Sequence, residues 1–239
     1  MSLLITCDGG GWKTPSRVRS RLESEGVTLP HAHIAGDRSA LLAAMAIARI
    51  TGGTLVANEH RPDLIDVGRT LGRGRLFGPE IACRPKTDRQ LIVEEIYQPY
   101  RRKVREQIMI SMARSAYVVH LSIRSFDAKE ADGRWRRGDV GLGYDPAVQD
   151  EVDWCLDLID ELWVSTAELK VRRNFPRRGS HDTLTRAMRR EFAGQPYLGI
   201  EVMLNRAWLC RTGIRRDRAL AGLAEAIAVV TPIADSIAA

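Results

Sequence analysis

The chain has 239 residues, 44% of them hydrophobic and 28% charged, enough to bury a substantial core and ordinary for a globular protein in solution. Its net charge of +6 comes from basic residues in short separated clusters, such as Arg101-Arg102-Lys103, Arg172-Arg173 and Arg215-Arg216. That spread reads as solvated faces rather than a nucleic-acid footprint. Cys7, Cys83, Cys155 and Cys210 lie far apart with no CxxC pair, against a structural zinc site and a secreted disulfide scaffold. No signal pattern opens the chain, and no apolar run approaches the roughly 20 residues of a spanning helix. The expectation is a cytoplasmic protein with no membrane partner.

Leu3–Cys7 reads as a buried strand that stops at Asp8-Gly9-Gly10-Gly11. Three glycines suit either a tight turn or an anion-binding nest. The stretch lacks the spacing of a P-loop or of GxGxxG. Asp8 places a carboxylate at the end of a strand, where α/β folds hold their ligands. Residues 38–51 predict a helix with Asp37 as N-cap and Gly52-Gly53 past its end, apolar nearly all round and therefore buried. Thr54–Ala57 is a short strand, and 58–77 is irregular, with Asp66 and Arg69 close together. A loop that long inside a compact domain is more often functional than idle.

The longest helix is expected from Thr87, whose Thr87-Asp88-Arg89-Gln90 has the form of a capping box. Pro99 should kink or split it. Tyr97 and Tyr100 at that break suit core packing or a helix end that faces a site.

The segment Tyr117–Pro146 holds two strand-like runs joined by a loop with Gly133, Arg134, Arg136 and Arg137. His120 and Arg124 are an even number of residues apart, so a strand puts them on one face. A helix over 148–163, a strand over 169–172 and a basic loop over 174–180 follow. Next come a helix over 183–192 with Asp182 as N-cap, a strand over 197–204 and a helix over 215–230. Glu201, flanked by apolar residues, must be paired, metal-bound or protonated if it points inward. Strand alternation could also turn it to solvent. Strands alternating with helices predict a single α/β domain over 1–239 with a mixed, largely parallel sheet flanked by helices.

Several segments, in this order, resemble the N-formylglutamate amidohydrolase family. They are Thr6-Cys7-Asp8-Gly9-Gly10, Ile65-Asp66-Val67-Gly68-Arg69, Tyr97-Gln98-Pro99-Tyr100-Arg101, Ser125-Phe126, Arg136-Arg137-Gly138-Asp139-Val140-Gly141 and Gly199-Ile200-Glu201-Val202. The resemblance spans roughly residues 3–210 and implies a fold similar to zinc carboxypeptidases. It also implies hydrolysis of the amide C–N bond of a small acidic N-acyl amino acid. The implied chemistry is a zinc ion that polarises the carbonyl and activates water, a glutamate that moves the proton, and arginines that hold substrate carboxylates.

By the same resemblance, Asp8 and Glu201 are the candidate catalytic carboxylates. Arg69, Arg101, Arg124 and Arg136, with Asp66, are candidate substrate-binding residues. Asp8 and His120 are candidate metal ligands. Spacing favours Arg136 over Arg137.

The sequence also departs from the family pattern. Gly9 and Arg124 stand where the family carries histidines, and Gly68 stands where it carries asparagine. Catalytic zinc normally takes three protein ligands, and an arginine at 124 suits an anion better than a dication. An alternative follows: a catalytically inactive relative, or pseudoenzyme, that binds a small anionic ligand in an arginine-lined cleft.

Overall fold

The computed structural model describes residues 1–29, 36–72 and 74–232. Six strands form one sheet: β1 (Ser2–Cys7), β2 (Thr54–Ala57), β3 (Val118–Phe126), β4 (Val140–Gly143), β5 (Val171–Arg173) and β6 (Tyr197–Asn205). Their spatial order is β2-β1-β3-β6-β4-β5. All neighbours run parallel except β4 against β6, so the sheet is mixed and largely parallel as expected. The helices are α1 (Ser16–Ser24), α2 (Arg38–Thr51), α3 (Pro79–Ala82), α4 (Lys86–Ile92), α5 (Gln98–Met112), α6 (Gln149–Ser165), α7 (Leu184–Glu191), α8 (Arg206–Leu209) and α9 (Ile214–Val230). No described helix is long and apolar enough to cross a membrane.

Period-two alternation divides the strands between two cores. On one face Leu3, Ile5, Val119, Leu121, Ile123, Ile200 and Val202 pack against α2, α6 and α9 through Ala44, Ile47, Leu158 and Ile227. On the other, Leu4 and Val56 pack against α1, α4, α5 and α7 through Leu22, Ile92, Val104 and Leu184. The second face also carries the buried polar residues Thr6, His120, Ser122 and Glu201. Ser122 stands in register with Thr6 on one side and Glu201 on the other. One strand face therefore delivers a polar row across three strands toward their C-terminal ends.

Four local expectations are corrected. The helix over 38–51 begins after Asp37, whose Oδ1 accepts from the Ala40 amide at 3.1 Å, but it is buried on one side only. Leu42 and Met45 are exposed at 60% and 51%. The next helix starts at Lys86, with Pro85 before it and no side-chain cap. Thr87 therefore lies inside the helix and caps nothing, and its buried neighbour Asp88 accepts from Arg21 and Arg84, each at 2.8 Å.

Of the kink or split expected at Pro99, the split is excluded. A π turn over Val93–Tyr97 precedes it, and α5 runs on to Met112; the wider turn absorbs the missing proline N–H. Thr183, not Asp182, caps α7 by accepting from the Arg186 amide. Asp182 holds Thr70, accepting from its amide and from its hydroxyl at 2.6 Å.

Candidate functional site

Asp8 follows β1 directly and is buried, as are Ser122 on β3 and Glu201 on β6. Its backbone is locked by Asn58, whose amide donates to Asp8 O at 2.9 Å. Both carboxylate oxygens are engaged. Oδ1 accepts from the Tyr100 hydroxyl at 2.8 Å, and Oδ2 accepts from Arg124 Nη2 at 2.8 Å and from Ser122 Oγ at 3.5 Å. Burial alone would raise the Asp8 carboxyl, yet the Arg124 guanidinium and the Tyr100 bond hold it below its ordinary value. Tyr100, buried beside that carboxylate, is pushed well above the usual phenol range.

Arg124 gathers the other acids. Its Nη2 lies 3.5 Å from Asp66 Oδ1 and its Nε 3.8 Å from Glu201 Oε1. Burial works against its charge, but Asp8, Asp66 and Glu201 more than offset that and raise its pKa. Asp66 pairs with Arg69 at 3.1 Å. Glu201 accepts from Arg177 Nη2 at 2.9 Å through Oε1, while its Oε2 is buried without a hydrogen-bond partner. Glu201 therefore points inward and is paired; the solvent-facing alternative is excluded by its burial. Arg101 completes the rim, donating to Val67 O at 3.3 Å and lying 5.4 Å from the Tyr97 ring centroid. Tyr97 in turn donates to Arg69 O at 2.8 Å.

The structure thus brings together Asp8, Asp66, Arg69, Arg101, Arg124 and Glu201. It places two other named residues differently. Arg136 donates to the carbonyls of Asp127 and Lys129 at 2.8 and 2.6 Å, stapling its own loop rather than facing the carboxylates. His120 lies deeper under the sheet face, bonded through Nε2 to Thr6 Oγ1 at 2.9 Å and through Nδ1 to Tyr197 Oη at 2.7 Å. Burial there pushes its pKa down to about 4. The described surface cavities of about 730 Å³ lie elsewhere, against Trp208 and against Phe77. At the strand ends the Arg124 head group sits among Asp8, Asp66 and Glu201.

A sequence model of N-formylglutamate amidohydrolases matches residues 1–206. The chain belongs to the N-formylglutamate amidohydrolase family. No curated protein matches it. Among solved structures, a gene product of Agrobacterium tumefaciens is similar at 20% identity, with 96% of this chain and 90% of that one covered and a TM-score of 0.74. An N-formylglutamate amidohydrolase from Ralstonia eutropha is similar at 18% identity, with 96% and 91% covered and a TM-score of 0.62. At these identities the likeness shows the fold.

Zinc is the metal that this family implies, and the donor set among the described residues does not fit it. Both oxygens of Asp8 are taken, one by a guanidinium that would face any dication bound there. Both nitrogens of His120 are bonded to buried hydroxyls. No group of three or more His, Cys, Asp or Glu able to hold a metal occurs among the described residues.

Two members of this site were not singled out in the sequence. Arg177 belongs to the basic loop over 174–180, but which of its two arginines turns inward depends on how that loop folds against β4. Ser122 had no signal beyond its even spacing from Arg124. Tyr100 was legible only as a residue at a helix break, where the π turn aims it at the strand ends.

Proposed function

We propose that this amidohydrolase-family chain recognises a small acidic N-acyl amino acid at the guanidinium rim over Asp8 and Glu201, and holds it without zinc. The observation that carries this reading is the ring Arg69–Asp66–Arg124–Glu201–Arg177, linked by successive ion pairs. Glu201 is sequestered, Asp66 is 28% exposed, and the arginines are partly exposed, at 32% for Arg69, 20% for Arg124 and 29% for Arg177. Guanidinium edges presented to solvent suit bidentate contacts to carboxylates. The reading keeps the expected cytoplasmic setting and a small-molecule partner.

Calorimetric titration with N-formyl-L-glutamate tests it. Binding that weakens about tenfold or more in Arg177→Ala or Arg69→Ala is expected, since each removes a charged contact. No heat of binding with this ligand or with N-acetyl-L-glutamate would overturn it.

A second reading, that amide hydrolysis persists, is favoured by Glu201 Oε2, a buried carboxylate oxygen with no partner. In that reading the oxygen takes a proton from water as the water attacks the carbonyl carbon. The proton passes to nitrogen as the C–N bond breaks, and guanidiniums stabilise the tetrahedral oxyanion. Release of glutamate that resists chelator and disappears in Glu201→Gln would select this reading over silent binding.

A further inference from the structure

The charges around Arg124 close on themselves. Asp8, Asp66 and Glu201 all lie within 4 Å of its head group, at 2.8, 3.5 and 3.8 Å. Arg69 and Arg177 neutralise the outer sides of Asp66 and Glu201. Three carboxylates therefore meet three guanidiniums, and the cluster balances with no further ion. A divalent cation added to it would be uncompensated, and desolvating such a charge is costly.

Gly68 gives the second, independent observation. A Cβ built on it would sit 2.1 Å from Arg124 Nη2, 2.7 Å from Asp8 Oδ2 and 3.2 Å from Asp66 Oδ1. Its φ is not among the positive values, so the backbone itself does not demand glycine. What demands it is the space taken by the Arg124 guanidinium and the Asp8 carboxylate that it pairs with, and a side chain at 68 would disturb that pair.

We infer that Arg124 is the resident cation of this site, seated in a slot that only glycine at 68 leaves open, and that the pair does the gathering of carboxylates that a bound metal would do. Gly68 and Arg124 then act as one coupled pair. This goes beyond the ligand proposed above and shares with that reading only a site without zinc; the double-mutant cycle involves no ligand and so separates the two.

A double-mutant cycle read by thermal unfolding tests the coupling. Gly68→Ala should lower Tm by roughly 5 °C in the presence of Arg124, by overpacking. It should cost clearly less in an Arg124→Ala background, where the 2.1 Å contact is gone and only the contacts with Asp8 Oδ2 and Asp66 Oδ1 remain. Equal losses in both backgrounds would overturn the inference. If Arg124→Ala does not fold, Arg124→Met supplies the second background.

Metal content of the wild-type protein after incubation with zinc gives a readout that needs no variant of Arg124. Absence of zinc, or zinc that is retained when Asp8 is replaced by Asn, agrees with the inference. Stoichiometric zinc lost in Asp8→Asn would overturn it.

Discussion

The Tyr100 hydroxyl and the Asp8 carboxylate, 92 positions apart in sequence, meet at 2.8 Å in a buried bond, and Arg124 takes the other carboxylate oxygen at the same distance. Asp8 is thereby fixed from two sides, by a helix that lies over the sheet and by the neighbouring strand. Tyr100→Phe keeps the ring and deletes the donor. It should cost about 1–3 kcal/mol, the usual penalty for orphaning a buried acceptor. Urea unfolding of the two proteins checks this; equal midpoints would mean that the tyrosine does not hold Asp8.

His120 should make stability depend on pH. Its folded pKa, lowered by burial to about 4, lies below the ordinary 6.5, so the unfolded chain takes up the proton first. The contribution is fully present above about pH 6.5 and is lost as pH falls through the folded value, by on the order of 3 kcal/mol. Unfolding free energies at about pH 5 and about pH 7 should differ in that direction. In His120→Gln the difference should shrink; an unchanged slope would place the effect elsewhere.

Glu151 ties the start of the sheet face to two helices. It is fully buried, accepts from Arg189 Nε and Nη2 at 2.8 and 3.0 Å, and also accepts from the amides of Gly199 and Asp145, each at 2.8 Å. Arg189→Ala strands this carboxylate without a counter-charge, and about 3–5 kcal/mol of stability should go with it. A loss below about 1 kcal/mol, the range of exposed pairs, would show that water reaches Glu151 in the variant.

Gly141 on β4 faces the backbone of the loop that carries Arg177. An added Cβ would lie 1.8 Å from the Phe175 carbonyl oxygen, and backbone cannot step aside as a flexible side chain can. Gly141→Ala should cost about 3 kcal/mol, the upper end of overpacking. It should also loosen the Arg177–Glu201 pair, so any affinity for N-formyl-L-glutamate should fall along with Tm. Unchanged Tm and affinity together would contradict the close approach.

Strands and the long helices were legible because their signals are local. Leu3–Cys7 and Tyr197–Leu204 are apolar runs of strand length bounded by turn residues, and Asp37 and Gly52 bracket a helix with ordinary cap chemistry. Side-chain competition at element ends was not local. Thr87 and Asp182 look like capping residues in sequence, yet Thr87 falls inside its helix behind Pro85, and the distant Thr70 claims the oxygens of Asp182. The buried-all-round reading of residues 38–51 failed for a related reason: periodicity records which residues are apolar, not how much surface the neighbouring elements can cover.

For the site, the sequence by itself supplied the strand-end carboxylates Asp8 and Glu201 and, through its resemblance, the family and the expectation of histidines where Gly9 and Arg124 stand. Those follow from residue identity in order along the chain. Only the tertiary structure decided that Arg124 lies among Asp8, Asp66 and Glu201, that His120 is enclosed by Thr6 and Tyr197, and that Arg177 rather than Arg136 reaches Glu201. A side chain's charge is written in the sequence. The partner that balances it is set by which strands become neighbours and in what register, and that depends on the packing of the whole sheet.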